Sequence, residues 1–154
     1  MLRKVFSKGE AGTTMAEFAV IAGLFFMMTL AIIEFGRLLY THNALTDAAR
    51  RGARYAVVHK EADKPCVKNV VVYGETHVDP ATCAATGSAL IKGLTTSNIT
   101  VTYAGVGASA YGPNVGTVTV SITSYTFTLS IPFAAKTITM PAYTSTLTAE
   151  SAGE

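Results

Sequence analysis

The feature that most constrains this chain is an uninterrupted apolar run, Phe18 to Ile33, with one carboxylate, Glu17, at its mouth. Within those sixteen residues only Gly23 and Thr29 depart from plainly apolar side chains. As a helix the run rises about 24 Å, short of a hydrocarbon core near 30 Å. Adding Met15 to Glu17 reaches that thickness only if Glu17 is paired or protonated, because an acid in hydrocarbon costs a few kcal/mol. Position alone leaves two readings of Glu17 open: an interfacial residue that ends the span, or a charge kept there for a purpose.

A secretory signal would end in a small-residue cleavage site after the apolar stretch. Here Glu34-Phe35-Gly36-Arg37 follows instead, so a retained single span at about residues 15–33 is expected. Arg3, Lys4 and Lys8 place the N-terminus in the cytoplasm by the positive-inside rule. A second basic cluster, Arg50, Arg51 and Arg54, lies well past the span and weakens that assignment without reversing it.

The helical pattern does not stop at the membrane. Proline is absent before Pro65, and Phe35, Leu38, Leu39, His42, Leu45, Ala49, Gly52, Ala53 and Ala56 recur at three- and four-residue steps. One helix from about Thr14 to about Val58 is expected, roughly 65–70 Å long. Ala44, Ala48, Ala49, Gly52, Ala53 and Ala56 keep its outer half thin, so another backbone can come close. That half is read as covered by the protein's own sheet, whereas the membrane half must face lipid or other subunits. Glu34 and Arg37, three apart, read as a solvated pair at the membrane exit or a candidate intersubunit contact. Arg50, Arg51 and Arg54 read as a solvated face whose stems cover apolar surface.

Beyond the helix the sequence turns β-like. Val67 to Tyr73 reads as a short strand and Ser88 to Leu94 as a helical turn. Asn98 to Tyr103 and Thr117 to Ile131 alternate, the second with a phase change at Thr123-Ser124 where a bulge is expected. Thr137 to Thr148 gives a further stretch interrupted by Pro141, and Ala104 to Gly116 reads as a mobile glycine-rich loop. A three- or four-stranded antiparallel sheet packed on the outer half of the helix follows, an α+β fold. Asn98-Ile99-Thr100 fits the glycosylation triplet but is read as strand sequence.

Cys66 and Cys83 are the only cysteines, and outside the cytoplasm such a pair is most simply a disulfide. A metal reading would need His59 or His77, and the spacing matches no zinc motif. No nucleophile motif or carboxylate pair accompanies His42, His59 or His77, and the glycines at 105–116 do not lead from a strand into a helix. The chain is not read as an enzyme, and no cofactor or metal is implied. A net charge of +2 among 22 charged residues is too small to argue for nucleic acid.

Three blocks carry a resemblance. Gly12-Thr13-Thr14-Met15-Ala16-Glu17-Phe18 resembles the class III signal of type IV pilins and pseudopilins. With Ile33-Glu34-Phe35-Gly36-Arg37 and Asp47-Ala48-Ala49-Arg50-Arg51-Gly52-Ala53-Arg54-Tyr55-Ala56, residues 9–58 are similar to TadE/TadG-like pseudopilins of tight-adherence pilus systems. The resemblance implies a leader at 1–12, cleavage between Gly12 and Thr13 by a prepilin peptidase, and a long helix at 13–58. It further implies an extracytoplasmic head at 59–154 and a bacterial inner-membrane origin. Other pilin or pseudopilin subunits and the pilus assembly platform become the implied partners. Glu17 becomes an assembly residue, pairing with the amine that cleavage creates on Thr13. Thr13 departs from the Phe usual at the first mature position of classical pilins, which puts N-methylation in doubt more than cleavage. The competing expectation is a permanently anchored periplasmic adaptor that never polymerises.

Overall fold

The computed structural model describes residues 10–109, 112–130 and 136–148. Arg3, Lys4, Lys8 and Ile131, invoked above, lie outside the described residues. Helix α1 spans Glu10–Val57, 48 residues, about 72 Å at 1.5 Å per residue. A second helix, α2, spans Lys64–Tyr73. Five strands follow: β1 Ile99–Ser109, β2 Gly112–Ile122, β3 Thr126–Thr128, β4 Thr137–Thr139 and β5 Tyr143–Thr148. They form an antiparallel three-stranded sheet, β1-β2-β5, and an antiparallel pair, β3-β4. The fold is α+β, a long apolar N-terminal helix joined to small antiparallel sheets.

The outer end of α1 packs against α2 and against β2 and β5. Small side chains make this possible: Ala48, Ala49, Ala53 and Ala56 are all buried. At Gly52 the fit is closest. A Cβ there would overlap Cγ2 of Val71 on α2 and lie 3.3 Å from Cγ1 of Val120 on β2. Facing the helix, Ile99, Val101 and Tyr103 of β1 lie opposite Ile122, Val120 and Val118 of β2, and Tyr143 of β5 lies opposite Ile122. The outer face of the sheet is threonine-rich, with Thr119 and Thr146 hydroxyls 2.9 Å apart and those of Ser121 and Thr144 3.0 Å apart. These hydroxyl pairs are the cross-strand contacts that suit a solvated sheet face.

Four expectations are corrected. Val67 to Tyr73 is helix, not strand. Pro65 sits in the first turn, where its missing N–H costs nothing, and Cys66, Val67, Val70 and Val71 fall on one buried helical face. Burial of that face outweighs the β preference of valine. Nor is Ala104 to Gly116 a loop: the ladder continues through Gly105 opposite Gly116 to Ser109 opposite Gly112. Gly116 has φ +157°, and a side chain there would overlap the Ala104 carbonyl oxygen, so glycine is what lets the strands stay close.

The phase change at Thr123-Ser124 is a corner rather than a bulge. Ser124 has φ 57°, and the Asn98 side-chain amide donates to the carbonyls of Thr123 and Ser124, each at 3.2 Å. The chain thereby leaves the main sheet and enters β3. The corner also employs the Asn98 amide of the glycosylation triplet. Around Ser88 to Leu94 the structure has only a turn, closed by Leu94 N–H donating to the Ile91 carbonyl at 3.0 Å. Pro141 separates β4 from β5, which belong to different sheets.

Cys66 and Cys83 form a disulfide, Cα–Cα 4.5 Å, that ties α2 to the segment leading to β1. Beside it the Asn69 amide donates to the Cys83 carbonyl at 2.7 Å. Closing a loop of this size contributes about 3 kcal/mol in the chain-entropy account. Tyr103 ties β1 to the end of α1, its hydroxyl donating to the Ala56 carbonyl at 3.2 Å. Burial, aided by the negative charges of Asp63 and Glu61, pushes its phenol up to about 12.

Replacing Gly52 by Ala sets a helix-propensity gain of about 1 kcal/mol against an overpacking cost of about 1–3 kcal/mol. The denaturant midpoint of the detergent-solubilised chain is expected to fall, and to recover in part when Val71→Ala is added. A Gly52→Ala protein more stable than the parent would refute the close fit. For Tyr103 the folded state favours the neutral phenol, so its contribution is complete below the ordinary value of 10.0 and is lost as pH rises toward 12. Thermal midpoints should therefore drop between pH 10 and 12, less steeply in Tyr103→Phe. The flattening is partial because burial also raises Tyr55, Tyr125 and Tyr143.

Candidate processing and assembly site

The first two turns of α1 carry Gly12, Thr13 and Glu17, all exposed. Thr13 and Glu17 stand four apart, so their side chains share one face about 6 Å apart along the axis. Glu17 forms no ion pair among the described residues. Nothing lies within 4 Å of a Cβ built on Gly12, so packing does not call for glycine there. A helix interior disfavours glycine by about 1 kcal/mol relative to alanine.

From there the helix is apolar and uncovered. The apolar window of α1 is only 6% buried, so this is not the core helix of a globular domain. Phe18, Val20, Ile21, Leu24, Phe25, Phe26 and Ile32 are all exposed. This one N-terminal helix is long and apolar enough to cross a membrane, which is consistent with single-pass anchoring.

Glu34 and Arg37 do not form the solvated exit pair expected from their spacing. Their ion pair is present at 3.2 Å, but Glu34 is 7% exposed and its Oε2 has no hydrogen-bond partner. Arg37 turns toward the β3-β4 hairpin. Its guanidinium donates to the Thr128 carbonyl and to Ser130 Oγ, and lies 4.7 Å from the Phe127 ring centroid. The pair is thus an intrachain clamp holding the hairpin to the first turns of α1 beyond the apolar run. Phe127 and Thr128, some ninety residues away in sequence, gave no sign of this role.

The arginine trio divides. Arg50 and Arg54 are exposed, on an open cavity of about 430 Å³ that Asp47 and Glu75 also line. Arg51 is part-buried and donates to the carbonyls of Val70 at 3.4 Å and Val71 at 3.2 Å, in the last turn of α2. It thereby supplies a donor to the Val71 carbonyl at the helix end and a second donor to that of Val70, which also accepts from Gly74 N–H at 2.9 Å. Burial pulls its guanidinium below the ordinary value, with Asp47 opposing. The histidines are engaged locally: His42 Nδ1 lies 2.8 Å from the Tyr143 hydroxyl, and His59 Nδ1 2.7 Å from the Tyr55 carbonyl.

Replacing Arg37 by Ala would leave Glu34 buried without its cation, a strongly destabilising arrangement. Because Arg37 itself is half exposed, a loss of about 1–3 kcal/mol is expected. The Arg37→Ala, Glu34→Gln double variant should recover part of it. Urea titration in detergent checks this, and equal losses in the single and double variants would contradict the clamp.

Comparison with known proteins agrees with the geometry of α1. The family model described as TadE-like protein matches residues 12–54, the stretch that holds Gly12, Glu17, Glu34, Arg37 and the arginine trio. No curated protein and no solved structure matches the chain. The match suggests involvement in tight-adherence pilus systems. Over residues 12–54 the chain is similar to the TadE-like family, which is consistent with a TadE-like pseudopilin.

Proposed function

We propose that this protein is a pilin-like subunit that enters the inner membrane, is cut between Gly12 and Thr13, and joins or primes a tight-adherence-type filament. The observation that carries the reading is the exposed Gly12-Thr13-Glu17 arrangement at the head of an uncovered apolar helix. Glycine at position 12 has no packing reason, which suits a residue read by a peptidase. In this reading a prepilin peptidase acts at the cytoplasmic face, where Arg3, Lys4 and Lys8 would hold the leader. The new α-amino group on Thr13 then supplies a cation for Glu17, in the same or a neighbouring subunit. A carboxylate moving into an apolar filament core is costly alone and much less so when paired. The apolar half of α1 would form the filament core with other subunits and the assembly platform. Residues 59–154 would face outward, and the resulting filament would serve attachment.

Intact-mass analysis of membrane-extracted protein, with and without a co-expressed prepilin peptidase, tests the first step. A product beginning at Thr13 is the expected outcome. A chain still beginning at Met1 in the presence of active peptidase would overturn the reading in favour of a permanently anchored adaptor. Glu17→Ala should still be processed yet fail to assemble, and filaments of normal number in that variant would remove Glu17 from the mechanism.

A further inference from the structure

A groove of about 560 Å³ lies between α2 and the beginning of β1, apart from Glu17 and Glu34. Lys64, Lys68 and Asn69 of α2 form one wall, and Thr96, Thr100 and Val101 the other. Its size is that of a ligand site. Strand β1 is an outer strand of the three-stranded sheet. Among the described residues, only β2 hydrogen-bonds to the backbone of Thr100–Tyr103. The other row of N–H and C=O groups on this stretch is therefore unpaired by any strand, and such an edge is a template for a further one.

The charges at the groove are unequal. Lys64 is engaged, with Nζ 2.6 Å from Glu61 Oε1 and 5.6 Å from the Tyr103 ring centroid. Lys68 has no ion pair among the described residues. The opposite sheet edge, β5, reads Tyr143-Thr144-Ser145-Thr146-Leu147-Thr148 and carries no cation. Of the two edges of this three-stranded sheet, the β1 edge is therefore the one that combines an open backbone row with a lysine lacking an ion pair among the described residues.

We propose that this groove takes an extended acidic peptide segment of a partner protein, added as a strand on the free edge of β1 with a carboxylate facing Lys68. Backbone pairing supplies affinity in this mode of recognition, and the side-chain wall supplies selectivity. Here α2 is the wall, and Thr100 and Thr102, both exposed, are residues that suit a paired strand. The proposal goes beyond the assembly role and does not depend on cleavage after Gly12.

The test uses the full chain in detergent and a fluorescent peptide of about eight residues, alternating Glu with Val and Thr, a length ordinary for a strand. Saturable anisotropy is expected, together with slowed amide exchange at Thr100–Tyr103. Lys68→Glu should weaken binding about tenfold, as loss of an interfacial charge contact does, and Lys68→Gln less. The milder variant stands in if the charge reversal perturbs the far-ultraviolet circular dichroism. Two further peptides, methylated on alternate backbone nitrogens in opposite phases, separate backbone pairing from simple charge attraction. One of the two should lose binding, because only one edge of an added strand faces β1. Absence of binding, or equal binding of both methylated peptides and the parent peptide, would overturn the proposal. Polygalacturonate bound with the same dependence on Lys68, without slowed exchange on peptide addition, would do so too, assigning the groove to acidic saccharides.

Discussion

The rest of the molecule depends on how closely the outer end of α1 is approached from two sides. Ala48, Ala49, Gly52, Ala53 and Ala56 present almost no side-chain bulk, so Val71 of α2 and Val120 of β2 both reach the helix at Gly52. A three-stranded sheet is marginal in water without a covering layer. The helix is that layer, and α2 packs beside it. The disulfide and the Tyr103 hydroxyl then hold the enclosing segments to α2 and to the end of α1. Residues that look featureless in isolation therefore set the geometry of everything after Val57.

Two carboxylates on α1 illustrate how surroundings decide the role of a charge. Glu34 has its cation three residues away and is covered from solvent, so it works within the chain to hold the β3-β4 hairpin. Glu17 sits on the same helix, exposed, with no ion pair among the described residues. A carboxylate left without a cation beside an apolar span is the one that gains most from an incoming positive charge. The contrast suits the assembly role proposed for Glu17, whereas Glu34 anchors within the chain.

Much of the long helix was legible because its information is local. Apolar continuity, absence of proline and three- and four-residue spacing depend only on neighbours along the chain, and α1 follows them. Alternation at Val118, Val120 and Ile122 was legible for the same reason, as was the break at Pro141. Segments whose local signal opposes their burial are not legible in this way. Val67 to Tyr73 has strand composition but a helical pattern of buried contacts, and Ala104 to Gly116 has loop composition but sits in a ladder. Glycine there serves close approach of two backbones, which composition alone does not distinguish from a turn.

Of the candidate site, Gly12, Thr13 and Glu17 stood out because their meaning lies in spacing along one helix. Glu34 and Arg37 were visible as a pair but not as a clamp, since Phe127 and Thr128 meet them only after β3 has turned out of the main sheet. The groove beside β1 has no sequence signal at all, because the valine-rich composition of α2 reads as a strand. Sequence by itself determined the helix, the uncovered apolar span and the acid at its mouth, all properties of a continuous stretch. Only the tertiary structure decided which strand keeps a free edge and which charges are covered. Those outcomes depend on contacts between residues far apart in the chain, whose pairing no local pattern encodes.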